Sequence, residues 1–374
     1  MTTTRRLWLV LGFGVVLIAL AVDLSHRAEA TGIDFHTYEA AARVGLQQGW
    51  SHIYDQPLVA AEQKLLVPSQ RSQPFLSTPP VAWLAAALAP LPYVPAYAVW
   101  AVLALLAFAA ALAWSGASHG VIRWIAVAAA IAPWWVLHAV VLGQVVPLVA
   151  ACVVVAWRLL REDRNVAAGL VLSSLLLKPN TAILVPIALL VAGRHRSFMT
   201  WAVAAAALVG VSLLMLGPHG ASAYLSQLAG PLPRGAQSLT LEGALGIGGV
   251  AAAAVRLAIV GAALAAAFRL RESPGLVIAV AAVASLLVAP YLHASDLCLL
   301  AAAGWMVWED RPAAAWRAAL AVGWIIASPF VFLSGVGPSL NRWPLLELVL
   351  LAALVVAAWR PLTGAADLRT RAPA

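Results

Sequence analysis

Gly32-Ile33-Asp34-Phe35-His36-Thr37-Tyr38 heads the one long polar interruption near the start of this chain, residues 23–80, which ends at Phe75-Leu76-Ser77-Thr78-Pro79-Pro80. What surrounds the interruption decides the fold. An apolar run over 7–22 precedes it, and apolar runs fill nearly everything after it. The 374 residues are 63% hydrophobic and 10% charged, with a mean hydropathy of +0.91, more apolar surface than one soluble core can hide. The sequence therefore describes an all-α polytopic membrane protein, one integral membrane domain over 1–374 whose first extramembrane loop is 23–80. A carboxylate held there beside the bilayer, Asp34, suggests chemistry on a lipid-borne substrate.

The net charge of +8 would point to nucleic acid in a soluble domain. Here the arginines sit in short runs between apolar segments, where the positive-inside rule accounts for them, and no nucleic-acid partner is expected. Arg5 and Arg6, the run 158–164, the run 194–196, Arg269 and Arg271, Arg311 and Arg317, and Arg360 should share the cytoplasmic side. Both termini are then cytoplasmic and the 23–80 loop is extracytoplasmic, as in a multi-pass protein of a bacterial plasma membrane. Ala28-Glu29-Ala30 resembles a signal-peptidase site, but the membrane character of all that follows favours an uncleaved first span. Cys152 and Cys298 both lie in apolar segments, so neither a disulfide nor a thiolate metal site is expected.

Thirteen apolar runs, from 7–22 to 343–359, are candidate spans. Five of them lie between the arginines at 5–6 and those at 158–164, yet two clusters on one side require an even number of crossings. One of the five is not a full span. The shortest is 81–91, and the Pro133 to Gly143 region offers a broken or re-entrant piece, which is tolerated where it lines a cavity. About eleven to thirteen membrane helices result, some half-length, with 166–177 and 182–192 paired around Lys178-Pro179-Asn180. Within the first loop, 35–48 and 57–67 have the spacing of amphipathic helices lying on the membrane surface, and Asp55 suits the cap of the second. A Gly-, Pro- and Ser-rich stretch, 217–246, suits a second, mobile extracytoplasmic loop. There is no internal repeat.

Several side chains have two readings each. Asp34 precedes a helical pattern and is placed to cap it; beside the membrane it can also act as a general base on an acceptor hydroxyl. Lys178 is one of only two lysines, and a charge between two apolar half-spans either snorkels to the surface or faces a functional counter-charge such as a phosphate. His293, in Pro290-Tyr291-Leu292-His293-Ala294-Ser295-Asp296, either binds sugar or phosphate, steadies Asp296, or is simply solvated. Gly143-Gln144, following His138, is a polar lining or plain helix packing. Arg256, embedded in an apolar run, is a second phosphate contact or snorkels outward. The sequence shows no His/Cys/Asp/Glu cluster at metal-ligand spacing, no phosphate-cradling loop and no serine elbow, so no metal and no cofactor are expected.

The order of these motifs, Asp34 to Ala41, Gly49 to Asp55, Ser77-Thr78-Pro79-Pro80, Gly143-Gln144, Lys178-Pro179 and Pro290 to His293, resembles that of glycosyltransferase family 87 in the GT-C superfamily. The chain resembles the actinobacterial members that extend phosphatidylinositol mannosides and lipoarabinomannan from polyprenyl-phosphate mannose. Arabinofuranosyltransferases using decaprenyl-phosphate arabinose belong to the same group. The resemblance implies a GT-C fold, a polyprenyl-phosphate sugar as donor, and a cell-envelope glycolipid or polysaccharide as acceptor. It matches Asp34 to the catalytic acid of the first outer loop, and Lys178 and His293 to polar positions lining the donor cavity. Tyr38, Gln144 and Arg256 complete the expected substrate-binding set. Where family members often carry Tyr-Pro-Pro and Trp-x-His, this chain has Thr78-Pro79-Pro80 and Tyr291-Leu292-His293. A flippase of lipid-linked sugars is the rival reading. Such proteins commonly show matching halves with broken helices, and this sequence shows no repeat. A structural partner in an envelope assembly would have no need of polar residues at depth.

Overall fold

Apolar side chains recur at helical spacing along almost the whole sequence, and helices are what they form. The structure, a computed structural model, describes residues 31–230, 239–310, 313–328 and 342–359, and contains no strand among them. The expected first span over 7–22, with Arg5, Arg6, Arg311 and Arg360, lies outside the described residues. Among the described residues, three helices are long and apolar enough to cross a membrane: α4 (Tyr93–Ser115), α10 (His195–Ala229) and α12 (Gly249–Arg269). A fourth crossing exists if α5 (Gly120–Ile131) and α6 (Trp134–Leu142), bent by 73°, count as one. The remaining apolar runs are short helices: α13 (Pro274–Val288), α14 (Cys298–Glu309), α15 (Ala314–Ile326) and α16 (Trp343–Trp359).

The run at 81–91 is not a span. It forms α3 (Pro79–Ala86), only 8 residues or about 12 Å at 1.5 Å per residue, far less than the roughly 30 Å of a bilayer core. Pro79 and Pro80 start it, and turns follow from Ala87. With α3 removed, the sequence reading keeps four candidates between the two arginine clusters, one of which, 7–22, lies outside the described residues.

Three helical hairpins define where polar residues meet. α7 (Val146–Arg161) ends among arginines and is followed by α8 (Asn165–Leu172), a 3-10 turn over Ser173–Leu177 and another over Pro179–Thr181, after which α9 (Leu184–Val191) returns to Arg194. Arg194 reaches Asp163 at 3.2 Å, so both feet of this hairpin lie at one end and Lys178 at its tip. α13 and α14 repeat the arrangement: Ser273 bonds Asp310 at 3.2 Å across their feet, and Pro290 to Asp296 form the tip. α13 is buried from Gly275 to Leu287 between α9, α12, α14 and α16. The link between α6 and α7 is a third tip at the same end. Charge at the feet and packed apolar residues between leave the tips as the place where buried polar groups must satisfy one another.

The loop before α3 folds onto these tips. α1 (Ile33–Gln48) and α2 (Gln56–Leu66) form a small layer with α3, cored by Phe35, Tyr38, Tyr54, Phe75, Val81 and Trp100. The spacing of α1 predicts a helix on the membrane surface, but residues 35–42 are all buried. The polar side chains on its other face have partners: His36 pairs with the Gln63 carbonyl at 2.8 Å and Glu39 with Arg43 at 2.7 Å. Beyond Leu216 the expected loop is helical as far as Ala229. The chain breaks direction at Gly217 (φ 60°, ψ −176°) before Pro218 and resumes, because only glycine takes that backbone readily and Pro218 then opens a new helical start.

Candidate active site

The link between α6 and α7 is set by Gly143, which ends α6 in the left-handed region (φ 73°). Trp100 donates its indole N–H to the Gly143 carbonyl at 2.8 Å, and Phe35 lies so close that a Cβ on residue 143 would stand 2.5 Å from its own Cβ. Gly143 therefore brings α1 against the link. In Gly143→Ala the backbone strain of about 1–2 kcal/mol adds to an overpacking cost of roughly 1–3 kcal/mol. The variant should melt lower than the parent and lose at least tenfold in transfer activity as Asp34 is displaced, measured on equal amounts of folded protein.

Around this link the tips converge on one amide. Gln144 donates Nε2–H to Asp34 Oδ2 at 2.7 Å, while its Oε1 accepts the Tyr38 hydroxyl at 3.0 Å and the Lys178 ammonium at 3.1 Å. These partners fix the amide's orientation, since only its oxygen can accept and only its nitrogen can donate. Lys178 also pairs with Asp296 Oδ1 at 2.6 Å. Asp296, fully buried, takes the His293 backbone N–H on Oδ2 at 2.9 Å, and the His293 ring accepts the Asp296 backbone N–H in return. Asn180 ties the first hairpin to the second through the Tyr291 carbonyl at 3.4 Å, and Thr78 ties α3 to it through the Leu176 carbonyl at 2.7 Å.

Asp34 is not the cap of α1. That position is Gly32, and Asp34 lies in the first turn with its carboxylate turned to Gln144. Only Oδ2 is engaged by protein; Oδ1 of this half-buried residue takes no hydrogen bond among the described residues. Burial raises the Asp34 carboxyl above its ordinary value, against the opposing pull of Lys178, His293, Gln144 and His138. Burial likewise lowers the His293 imidazole, as does Lys178, with Asp296 and Asp34 pulling it back up. A carboxylate of raised basicity beside a neutral imidazole and an ammonium can accept a proton on one side and support a departing anion on the other.

The sequence profile of glycosyltransferase family 87 matches residues 75–334, well over half of the chain. The chain belongs to glycosyltransferase family 87. No curated protein and no solved structure is significantly similar to it. Gln144, Lys178, Arg256, His293 and Asp296 fall inside the matched stretch of this family 87 glycosyltransferase; Asp34 and Tyr38 precede it. Membership and apolar helices together make the protein a membrane glycosyltransferase, which sets aside the flippase and assembly-partner readings.

Of the six residues singled out from sequence, five meet in the site of this family 87 enzyme: Asp34, Tyr38, Gln144, Lys178 and His293. Arg256 does not join them. It sits on α12 and pairs with Glu242 of α11 (Leu241–Leu245) at 2.6 Å, with no ion pair to the cluster. Asp296 enters the sequence reading only as a neighbour for His293 to steady, though it proves to be the ion-pair partner of Lys178; its place three residues after His293, at a helix start, was the available signal. One grouping lies outside the sequence reading. The sequence shows no metal-ligand spacing, yet His52, Asp55 and His219 come together with ligand atoms within 4.8 Å of one another. His219 is far away in sequence, so local spacing could not find the group. Asp55 does stand at the N-cap of α2 as expected, but its side chain accepts no backbone N–H.

Proposed function

We propose that this enzyme transfers a sugar, mannose in the first instance, from a polyprenyl-phosphate donor to a hydroxyl of a cell-envelope glycolipid or polysaccharide, on the outer face of a bacterial plasma membrane. The observation that carries the reading is the Asp34–Gln144–Lys178 chain of contacts, with a base at one end and at the other a cation that Asp296 holds in place. The tips lie at the end of the helices opposite the arginine-rich feet, and the positive-inside rule puts that end outside. Nucleotide sugars are cytoplasmic substrates, so a lipid-linked donor suits such a site.

In this mechanism the acceptor O–H hydrogen-bonds to Oδ1 of Asp34. As the oxygen attacks the anomeric carbon, its proton passes to Asp34 and the bond from that carbon to the phosphate oxygen breaks. The configuration inverts, so a β-linked donor gives an α-linked product. The donor's phosphodiester, of charge −1, leaves as a lipid phosphate monoester of charge near −2. An ammonium has three N–H donors; Asp296 and Gln144 occupy two of those on Lys178, and the third serves a phosphate oxygen. The His293 ring, neutral and accepting on one nitrogen, presents an N–H on the other. The leaving charge grows against these donors in a site of low dielectric, where such contacts have their largest effect. No metal or cofactor takes part in this step, since Lys178 supplies the counter-charge. The isoprenoid tail has an apolar groove of about 440 Å3 to enter, between α14, α15 and α16, bordered by Trp135 on α6 three residues from His138.

A second donor, decaprenyl-phosphate arabinofuranose, uses the same groups. Membranes supplied with each labelled donor, together with mass spectrometry of envelope glycolipids after gene deletion, decide between them. Mannose transfer and loss of hexose increments are expected. Pentose loss would move the assignment to arabinose, and unchanged glycolipids with neither donor used would overturn the proposal.

A further inference from the structure

The segment after the Gly217 break packs across the first loop. Gly220 fits against the Ser51 carbonyl so closely that a Cβ there would stand 2.8 Å from it, and Tyr224 stacks on Tyr54 with ring centroids 4.5 Å apart. At the joint, the rings of His52 and His219 lie 5.3 Å apart. With Asp55 they offer two imidazole nitrogens and a carboxylate oxygen, all mutually within 4.8 Å.

Among the described residues, none of the three has another polar partner. His52 Nδ1 is buried without a hydrogen bond. The Asp55 carboxylate, standing at the start of α2, takes neither a backbone N–H nor an ion pair among the described residues. His219 is exposed, and its ring lies against that of His52. A buried ring nitrogen without a partner is costly, and the ligand atoms of Asp55 and His219 stand beside that ring.

We infer that His52, Asp55 and His219 bind one divalent transition-metal ion of the zinc class, which clasps the outer half of α10 to the first loop. Two imidazoles and one carboxylate suit Zn2+ rather than Mg2+ or Ca2+, which prefer all-oxygen shells. Bonds of about 2.0–2.2 Å in a tetrahedral shell place ligand atoms roughly 3.3 Å apart. The three atoms close that gap by side-chain rotation, to which exposed His219 is free. Three protein ligands leave a fourth position for water. The clasp is separate from the transfer chemistry, since none of its ligands bonds Asp34, Lys178 or His293. It acts on the site's surroundings: Tyr54 bonds the Ser77 carbonyl at 2.6 Å, ahead of Thr78 and α3.

The test uses the full chain in detergent, with any affinity tag removed and metal stripped by chelator. Zn2+ is added back and counted by mass spectrometry, its affinity is read by competition with a chromogenic chelator, and Co2+ is titrated for the visible absorption of a four-coordinate site. One metal per chain is expected, with a Kd in the micromolar range or tighter, a Zn2+-dependent rise in melting temperature, and at least a tenfold loss of affinity in His52→Ala, His219→Ala and Asp55→Asn. His119→Ala, at another surface, should bind like the parent. Because His219 is exposed, its variant should melt as the stripped parent does, which separates loss of metal from loss of fold. Failure of the parent to hold one equivalent, or parent-like affinity in His52→Ala and His219→Ala, would overturn the inference.

Discussion

Asp34→Asn should abolish sugar transfer while leaving the protein as stable as the parent or more so. General-base catalysis contributes about 10²–10⁴ in rate, and an amide cannot take the acceptor's proton, so a loss of that size is expected at saturating donor and acceptor. The introduced asparagine keeps the shape and still accepts from Gln144 through its own oxygen, so the link between α1 and the hairpin tips survives. Stability follows from the sign of the shift. Burial raises the Asp34 carboxyl above its unfolded value, so folding favours its neutral form. The contribution is present in full below the ordinary carboxylate range and is lost as pH rises through the raised value. At neutral pH the ionised group therefore costs stability, and the amide removes that cost. Rate moves the other way with pH: the parent's activity should fall as pH drops through a value above the ordinary carboxylate range, where Asp34 takes up a proton. Thermal melting, turnover and a pH–rate profile check all three. A variant that keeps its activity would remove Asp34 as the base; one that loses activity and stability together would make it a strut between α1 and the link.

Much of this arrangement is legible in the sequence because composition and charge act over long stretches. The membrane class follows from hydropathy, and the hairpin around Lys178-Pro179-Asn180 from two short apolar runs with a charge between them. Parity flags one false span among five candidates, and 81–91 is the shortest of them. Burial is harder to read. Residues 35–48 have the spacing of a surface helix, but α3, α4 and the α6–α7 link cover α1 from directions that its own pattern does not encode. The stretch after Leu216 reads as loop because Gly217, Pro218 and Gly220 are helix breakers in isolation; one break and one close packing contact account for them. Asp34 has two local readings, and the cap reading is removed only by the backbone at Gly32 and by Gln144, supplied by a distant link. Asp296 and the trio of His52, Asp55 and His219 depend on chain crossings that no local spacing records.

Lys178 should show the second large effect, and a paired substitution can say why. Its ammonium meets Asp296 at 2.6 Å, with side-chain exposures of 13% and 0%. Removing it in Lys178→Met strands a buried carboxylate, a loss of about 3–5 kcal/mol, so the single variant should melt well below the parent. Activity should fall by about 10²–10³ as well, the usual cost of deleting one donor to a developing oxyanion. The single variant alone does not separate these causes. Lys178→Met combined with Asp296→Asn removes both charges together, and replacing a buried pair by neutral groups of similar volume is often close to neutral for stability. The double variant should regain most of the melting temperature and none of the transfer rate, because the phosphate still lacks its ammonium. Its apparent affinity for the polyprenyl-phosphate donor should stay weak while acceptor affinity returns. Recovery of both stability and rate would mean that Lys178 serves only to balance Asp296, and the leaving phosphate would then need another partner.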